Sequence, residues 1–159
     1  MLESANPVRC LNMSRPAPSG KSPTTVPRPG ERAIAEAGLE ALPNPARQRE
    51  YIIHFSYPEF TCKCPMTGYP DFAVIDIWIV PAQSIIELKS LKLYLNRYRD
   101  TYAFHEDVTN GILDDIVEAA QPTWARIVGD WNPRGNLKTV ITAEHNADNR
   151  PEFWDSPRS

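Results

Sequence analysis

The chain has 159 residues, and its 17 Lys and Arg against 20 Asp and Glu give a net charge of −3. That is about one domain's length, and mild acidity with no basic stripe along any periodic segment argues against nucleic acid or an anionic membrane as a partner. No apolar run reaches bilayer-spanning length and the N-terminal stretch lacks the apolar centre of a signal peptide, so a soluble, cytoplasmic protein is expected.

Residues 1–48 hold eight of the 16 prolines, interleaved with Ser, Arg, Thr and Gly. This composition reads as a flexible extension, with a short helix over 31–42 signalled by Ile34, Leu39 and the alanines. The folded domain is expected over 49–149, followed by a tail over 150–159. The run 51–56 is β-branched and aromatic, as is FAVIDIWIV over 72–80, closed by Pro81. Both read as strands, paired across the loop between them, with a third short strand over 84–88. Leu88, Leu91, Leu95, Tyr98 and Tyr102 then recur at helical spacing, with Lys92, Asn96 and Arg99 on the wet side. A second helix is predicted from a cap near Thr109 through Ile112, Leu113, Ile116, Val117 and Ala120 to Pro122. Strands over 124–131 and 137–145 follow, joined by the turn Asn132-Pro133-Arg134-Gly135-Asn136. The fold class is α+β: an antiparallel sheet of four main strands with two helices on one face. Such a unit leaves open edges and an uncovered apolar face, which closing into a barrel with copies of itself would bury.

Cys10, Cys62 and Cys64 are an odd number of cysteines, which favours free thiols. Cys64 stands seven residues before Asp71 across the Pro/Gly-rich stretch FTCKCPMTGYPDFA. A thiolate is a strong nucleophile, and a carboxylate on the same loop can accept its proton and later return it to product. The alternative is that Cys64 is a small core residue and Asp71 a turn residue. None of the glycines forms a G-x-G-x-x-G, so no dinucleotide fingerprint is present.

Several separated segments in register resemble one family. Glu87-Leu88-Lys89-Ser90-Leu91-Lys92-Leu93-Tyr94 is similar to the signature of the NADPH-dependent 7-cyano-7-deazaguanine reductases, the nitrile reductases of queuosine biosynthesis. The Cys64 loop, Phe104-His105-Glu106-Asp107 and Asn132-Pro133-Arg134-Gly135 resemble further family segments, and the likeness covers about residues 50–145. The resemblance implies the tunnelling fold, closing into barrels as a homo-oligomer with active sites between subunits. It implies that Cys64 forms a covalent thioimide with the nitrile of 7-cyano-7-deazaguanine and that Asp71 handles protons. Ile86, Glu87 and Leu88 would line the substrate pocket, with His105 and Glu106 reaching it from a neighbouring subunit. NADPH would be the cofactor, its phosphates met by Lys89, Lys92 and Arg134, which are otherwise solvated surface charges. The chain departs from the family pattern at Tyr69, at Cys62-Lys63 and at Val108. At Val108 some members carry a second cysteine, so a protective disulfide to Cys64 is in doubt here, and Cys62 is a poor geometric substitute.

Three other readings compete: a zinc enzyme of the same fold using Cys62, Cys64, His54 and His105, a Cys-dependent nitrile hydrolase, and a non-catalytic purine-binding module. His54, His145 and the tryptophans are assigned to packing or surface.

Overall fold

Alternating side chains along the β-rich runs give each strand one buried and one open face, and this pattern organises the domain. The computed structural model describes residues 26–152 and residue 154, and Cys10 lies outside them. In chain order the elements are α1 (Pro29–Ala35), β1 (Ala41–Pro43), β2 (Ile53–Lys63), β3 (Pro70–Val80), β4 (Ser84–Ile86), α2 (Leu88–Arg97), α3 (His105–Ala120), β5 (Trp124–Arg134) and β6 (Leu137–His145). The main sheet has the order β2-β3-β5-β6, antiparallel throughout, and β1 pairs with β4 in a separate two-stranded ribbon.

One face of the sheet carries Phe60, Cys62, Ile75, Ile77, Ile79, Ile127 and Trp131, all at most 1 % exposed, against Val108, Ile112 and Ile116 of α3 and Leu91 and Leu95 of α2. Helix α3 lies so close to β5 that a Cβ at Gly129 would stand 2.7 Å from Thr109 Oγ1 and 2.8 Å from Trp131 Nε1. Glycine there permits the helix–sheet contact.

Four expectations need correction. The helix expected over 31–42 ends at Ala35, and residues 41–43 are strand instead, because Glu87 N–H donates to Glu40 O at 2.8 Å and β4 supplies the ladder. Part of the segment read as an extension is thus hydrogen-bonded to the domain. Asn44 is 4 % exposed and bonded through its side chain to Ala82 O, Ala46 N–H and the Tyr51 hydroxyl. Helix α3 starts at His105, not near Thr109: Val108 N–H already bonds Phe104 O at 3.0 Å, and the Thr109 hydroxyl donates to His105 O inside the helix. Glu106 and Asp107 in the first turn suit the positive end of the helix dipole. Strand β2 runs past Pro58 to Lys63, because a register shift between Tyr57 and Phe60 on this edge strand absorbs the proline. The uncovered face is also more polar than expected, since the period of two that places Val74, Val128 and Val140 there brings charges with them. His54 meets Asp76 at 2.9 Å, Lys138 meets Asp130 at 2.9 Å and Arg126 meets Glu144 at 3.5 Å. Trp154 covers part of it, 5.4 Å from Trp78 and 5.3 Å from Trp124 between ring centroids.

Candidate active site

Cys64 follows the last residue of β2 and caps a single helical turn. Pro65 sets the first φ, Gly68 N–H donates to Cys64 O at 2.8 Å, and Gly68 reverses the chain at φ +73°. Cys64 N–H then donates to Tyr69 O at 2.8 Å and returns the chain to β3. In this turn the sulfur occupies the place of a capping oxygen. It receives the Thr67 hydroxyl first, then the backbone N–H groups of Met66 and Thr67, with the Arg134 guanidinium adding to them. These donors stabilise the thiolate and bring the Cys64 pKa down to about 7.

Cys62 behaves in the opposite way. It is fully buried, and burial first, then the Asp71 charge, pushes its thiol up to about 11. Of the two described thiols, Cys64 is the one held toward the thiolate and Cys62 the one held protonated.

Asp71 sits opposite Cys62 in the β2–β3 ladder, pointing to the buried face at 5 % exposure. Its Oδ1 pairs with Arg134 Nε and lies 3.4 Å from His105 Nε2. Both contacts fall on Oδ1. Arg134 also reaches Pro70 O at 3.3 Å and Tyr69 O at 3.5 Å, so it binds both the carboxylate and the returning arm of the loop, and its charge favours the Cys64 thiolate. His105 is the first residue of α3 and stacks flat on Trp131, with centroids 3.9 Å apart and planes 6° apart. It is placed there because Lys63 N–H donates to Thr101 O at 2.9 Å and Ala103 N–H to Lys63 O at 3.1 Å, tying the entry of α3 to the end of β2. His105 therefore stands beside Asp71 of its own chain. Glu106 follows on the exposed first turn, its carboxylate without a side-chain partner among the described residues.

The other expected pocket residues lie elsewhere. Asp71 and Val80 are at opposite ends of β3, about 30 Å apart at the usual strand rise, and β4 begins just beyond Val80. Helix α2, about 15 Å long, starts there and runs back toward the Cys64 loop. Ile86 is buried at 4 % exposure and Leu88 is open at 66 %. Glu87 caps α2, accepting Lys89 N–H at 2.9 Å and Ser90 N–H at 2.6 Å, and these bonds hold its carboxyl below the ordinary range. Lys89 and Lys92 project from the exposed first turns of α2, outside the ion pairs of the described residues. An open groove of about 760 Å³, lined by Thr61, Lys63, Pro70, Phe72 and Arg99 among others, faces away from Asp71 on the other side of β2 and β3. Among the described residues, no three His, Cys, Asp or Glu side chains gather as a metal site requires, and no helix is long and apolar enough to cross a membrane.

Two contributors escaped the sequence reading. Thr67 was signalled by Cys64-Pro65-x-Thr67-Gly68, a capping residue with Pro at the first helical position and Gly at the end. The pairing of Arg134 with Asp71 had no local signal, because it depends on a long-range strand alignment.

The crystal structure of the archaeosine synthase QueF-Like in the apo form superposes with a TM-score of 0.55 at 15% sequence identity, over 58% of this chain and 91% of that one. The protein is thus a tunnelling-fold protein. A family model described as QueF-like protein matches residues 70–150. The NADPH-dependent 7-cyano-7-deazaguanine reductase of Thermosynechococcus vestitus is 53% identical over 116 residues, 73% of this chain and 88% of the relative. That of Gloeobacter violaceus is 50% identical over 128 residues, 80% of this chain and 93% of the relative. The chain belongs to the NADPH-dependent 7-cyano-7-deazaguanine reductase family.

Proposed function

We propose that this chain reduces the nitrile of 7-cyano-7-deazaguanine to an aminomethyl group with NADPH, through a thioimide on Cys64. The observation that carries the reading is the helical turn that gathers three donors from Met66 and Thr67 on the Cys64 sulfur, in a chain of this family. A nitrile is a poor hydride acceptor until a nucleophile has added to it. The Cys64 sulfur bonds to the nitrile carbon while Asp71 Oδ2, holding the thiol's proton, delivers it to the nitrogen as charge develops there. Lys89 and Lys92 would hold the phosphates of NADPH, which would supply the two hydrides the reduction needs, one before and one after the sulfur departs. Each hydride is accompanied by one proton, and Asp71 is the group placed to relay it. Thiolate leaves readily at the middle step because its pKa lies near neutrality.

Glu106, with a free carboxylate beside His105, is suited to accept paired N–H donors from the edge of the base and so to reject a heterocycle lacking them. Ile86, Glu87 and Leu88 stand too far from Cys64 of the same chain to share its pocket, so they line it from a second copy. Purified protein given 7-cyano-7-deazaguanine and NADPH is expected to oxidise two NADPH per nitrile, with Cys64→Ala inactive. No NADPH oxidation by assembled protein, or ammonia release without it, would overturn the proposal.

A further inference from the structure

Strict alternation along β5 would turn Arg134 away from Asp71. Trp131 faces the core, so a regular strand would put Asn132 outward, Pro133 inward and Arg134 outward. The pairing is not regular: Trp131 aligns with Thr139 but Arg134 aligns with Leu137, one residue more on β5 than on β6. This bulge re-aims the side chain at Arg134. A two-residue turn, Gly135 at φ +54° and Asn136 at φ +68°, then holds the strand end in place. The result is an arginine bonded to the Asp71 carboxylate and to the carbonyls of Tyr69 and Pro70, within reach of the Cys64 sulfur.

We propose that Arg134 is a positioning residue for Cys64 and Asp71, clamping the returning arm of the nucleophile loop and placing a positive charge between thiolate and carboxylate. This rests on the proposed reduction for its kinetic part only. A thiolate and a carboxylate in one site repel, and a guanidinium paired with the carboxylate and near the sulfur lets them coexist before substrate arrives. The pull of Arg134 on the Cys64 proton is in the same direction. The other titratable groups around the pair are Cys62 on β2 and His105 on α3. Neither replaces the clamp: Cys62 is held protonated by burial, and His105 makes the longer contact to Asp71.

The test is the pH dependence of Cys64 alkylation by iodoacetamide, followed on its own peptide by mass spectrometry in Arg134→Gln, Arg134→Lys and the unaltered chain. Arg134→Gln is expected to move the midpoint upward, by less than loss of the Thr67 hydroxyl does, and to lower kcat roughly ten- to a hundredfold, with little change in KM for NADPH. Arg134→Lys keeps the charge but not the fork to the two carbonyls, so it should keep the midpoint and recover only part of kcat. An unchanged midpoint in Arg134→Gln, with only KM for NADPH raised, would overturn the proposal and make Arg134 a cofactor-phosphate ligand. If Arg134→Gln does not fold, Arg134→Lys decides, and full kcat with a raised KM for NADPH would refute the clamp. Alkylation needs neither nitrile nor NADPH. An upward midpoint in Arg134→Gln would therefore support the clamp even if the unaltered chain reduced no nitrile.

Discussion

Replacing Thr67 by Val removes the hydroxyl that contributes most to the low Cys64 pKa and that accepts Tyr69 N–H at 3.3 Å, and keeps the backbone N–H groups of Met66 and Thr67. At a pKa of about 7, half of Cys64 is thiolate at neutral pH, whereas an ordinary thiol at about 8.5 is only a few per cent ionised. Nucleophilicity falls with pKa by a Brønsted slope of about 0.4–0.5, so a thiol shifted up by about one unit loses roughly fivefold in thiolate at pH 7 but gains about threefold per thiolate. Thr67→Val should therefore alkylate about twofold more slowly at pH 7 and two- to threefold faster at pH 9, and the two profiles should cross between. The sign follows from the direction of the shift: a lowered pKa helps below the ordinary thiol pKa and hinders above it. The assay is iodoacetamide labelling of the Cys64 peptide from pH 5.5 to 9.5, by about half-unit steps. Profiles that run parallel, or an unaltered chain titrating at an ordinary thiol pKa, would refute the capped-thiolate account.

Other tests address the scaffold. Gly129→Ala forces a methyl against Thr109 and Trp131, both fully buried, and should destabilise the fold by about 1–3 kcal/mol, read as a lower urea midpoint at fixed protein concentration. A change within experimental error would mean that α3 can shift away from β5. Asn44→Ala strands Ala82 O, Ala46 N–H and the Tyr51 hydroxyl and should cost about 1–3 kcal/mol by the same measurement. An unaltered midpoint would restore the reading of residues 1–48 as a dispensable extension.

The strand runs 72–80 and 137–145 and the helix at Leu88 were legible because each carries a clear period of two or of three to four. The start of α3 was not, since its N-cap is Phe104, which supplies only backbone, while Thr109 imitates a cap from inside the helix. Strand β1 was hidden among prolines because its hydrogen bonds are to partners more than forty residues away in sequence. At the site, Cys64 and Asp71 were legible as a thiol and a carboxylate at the two ends of one loop, and the structure adds that the thiol is capped and the carboxylate buried. The position of His105 was not: it depends on the backbone bonds between Lys63 and residues Thr101 and Ala103, which carry no side-chain signature. The separation of Glu87 from Cys64 along the sheet was equally invisible, because motif order says nothing about which end of a strand a helix leaves from.

Pro133 has a consequence that lies in what it withholds. Beside Asn132, it occupies the stretch where β5 holds one residue more than β6. Regular pairing would ask a proline to fill a ladder position with no N–H to donate, so the competing alignment, with Arg134 on the outer face, is penalised before any ion pair forms. Pro133 thus acts as a veto on the wrong register without touching the site. The charge environment of the thiol is written partly in a hydrogen bond that a neighbouring strand is unable to make.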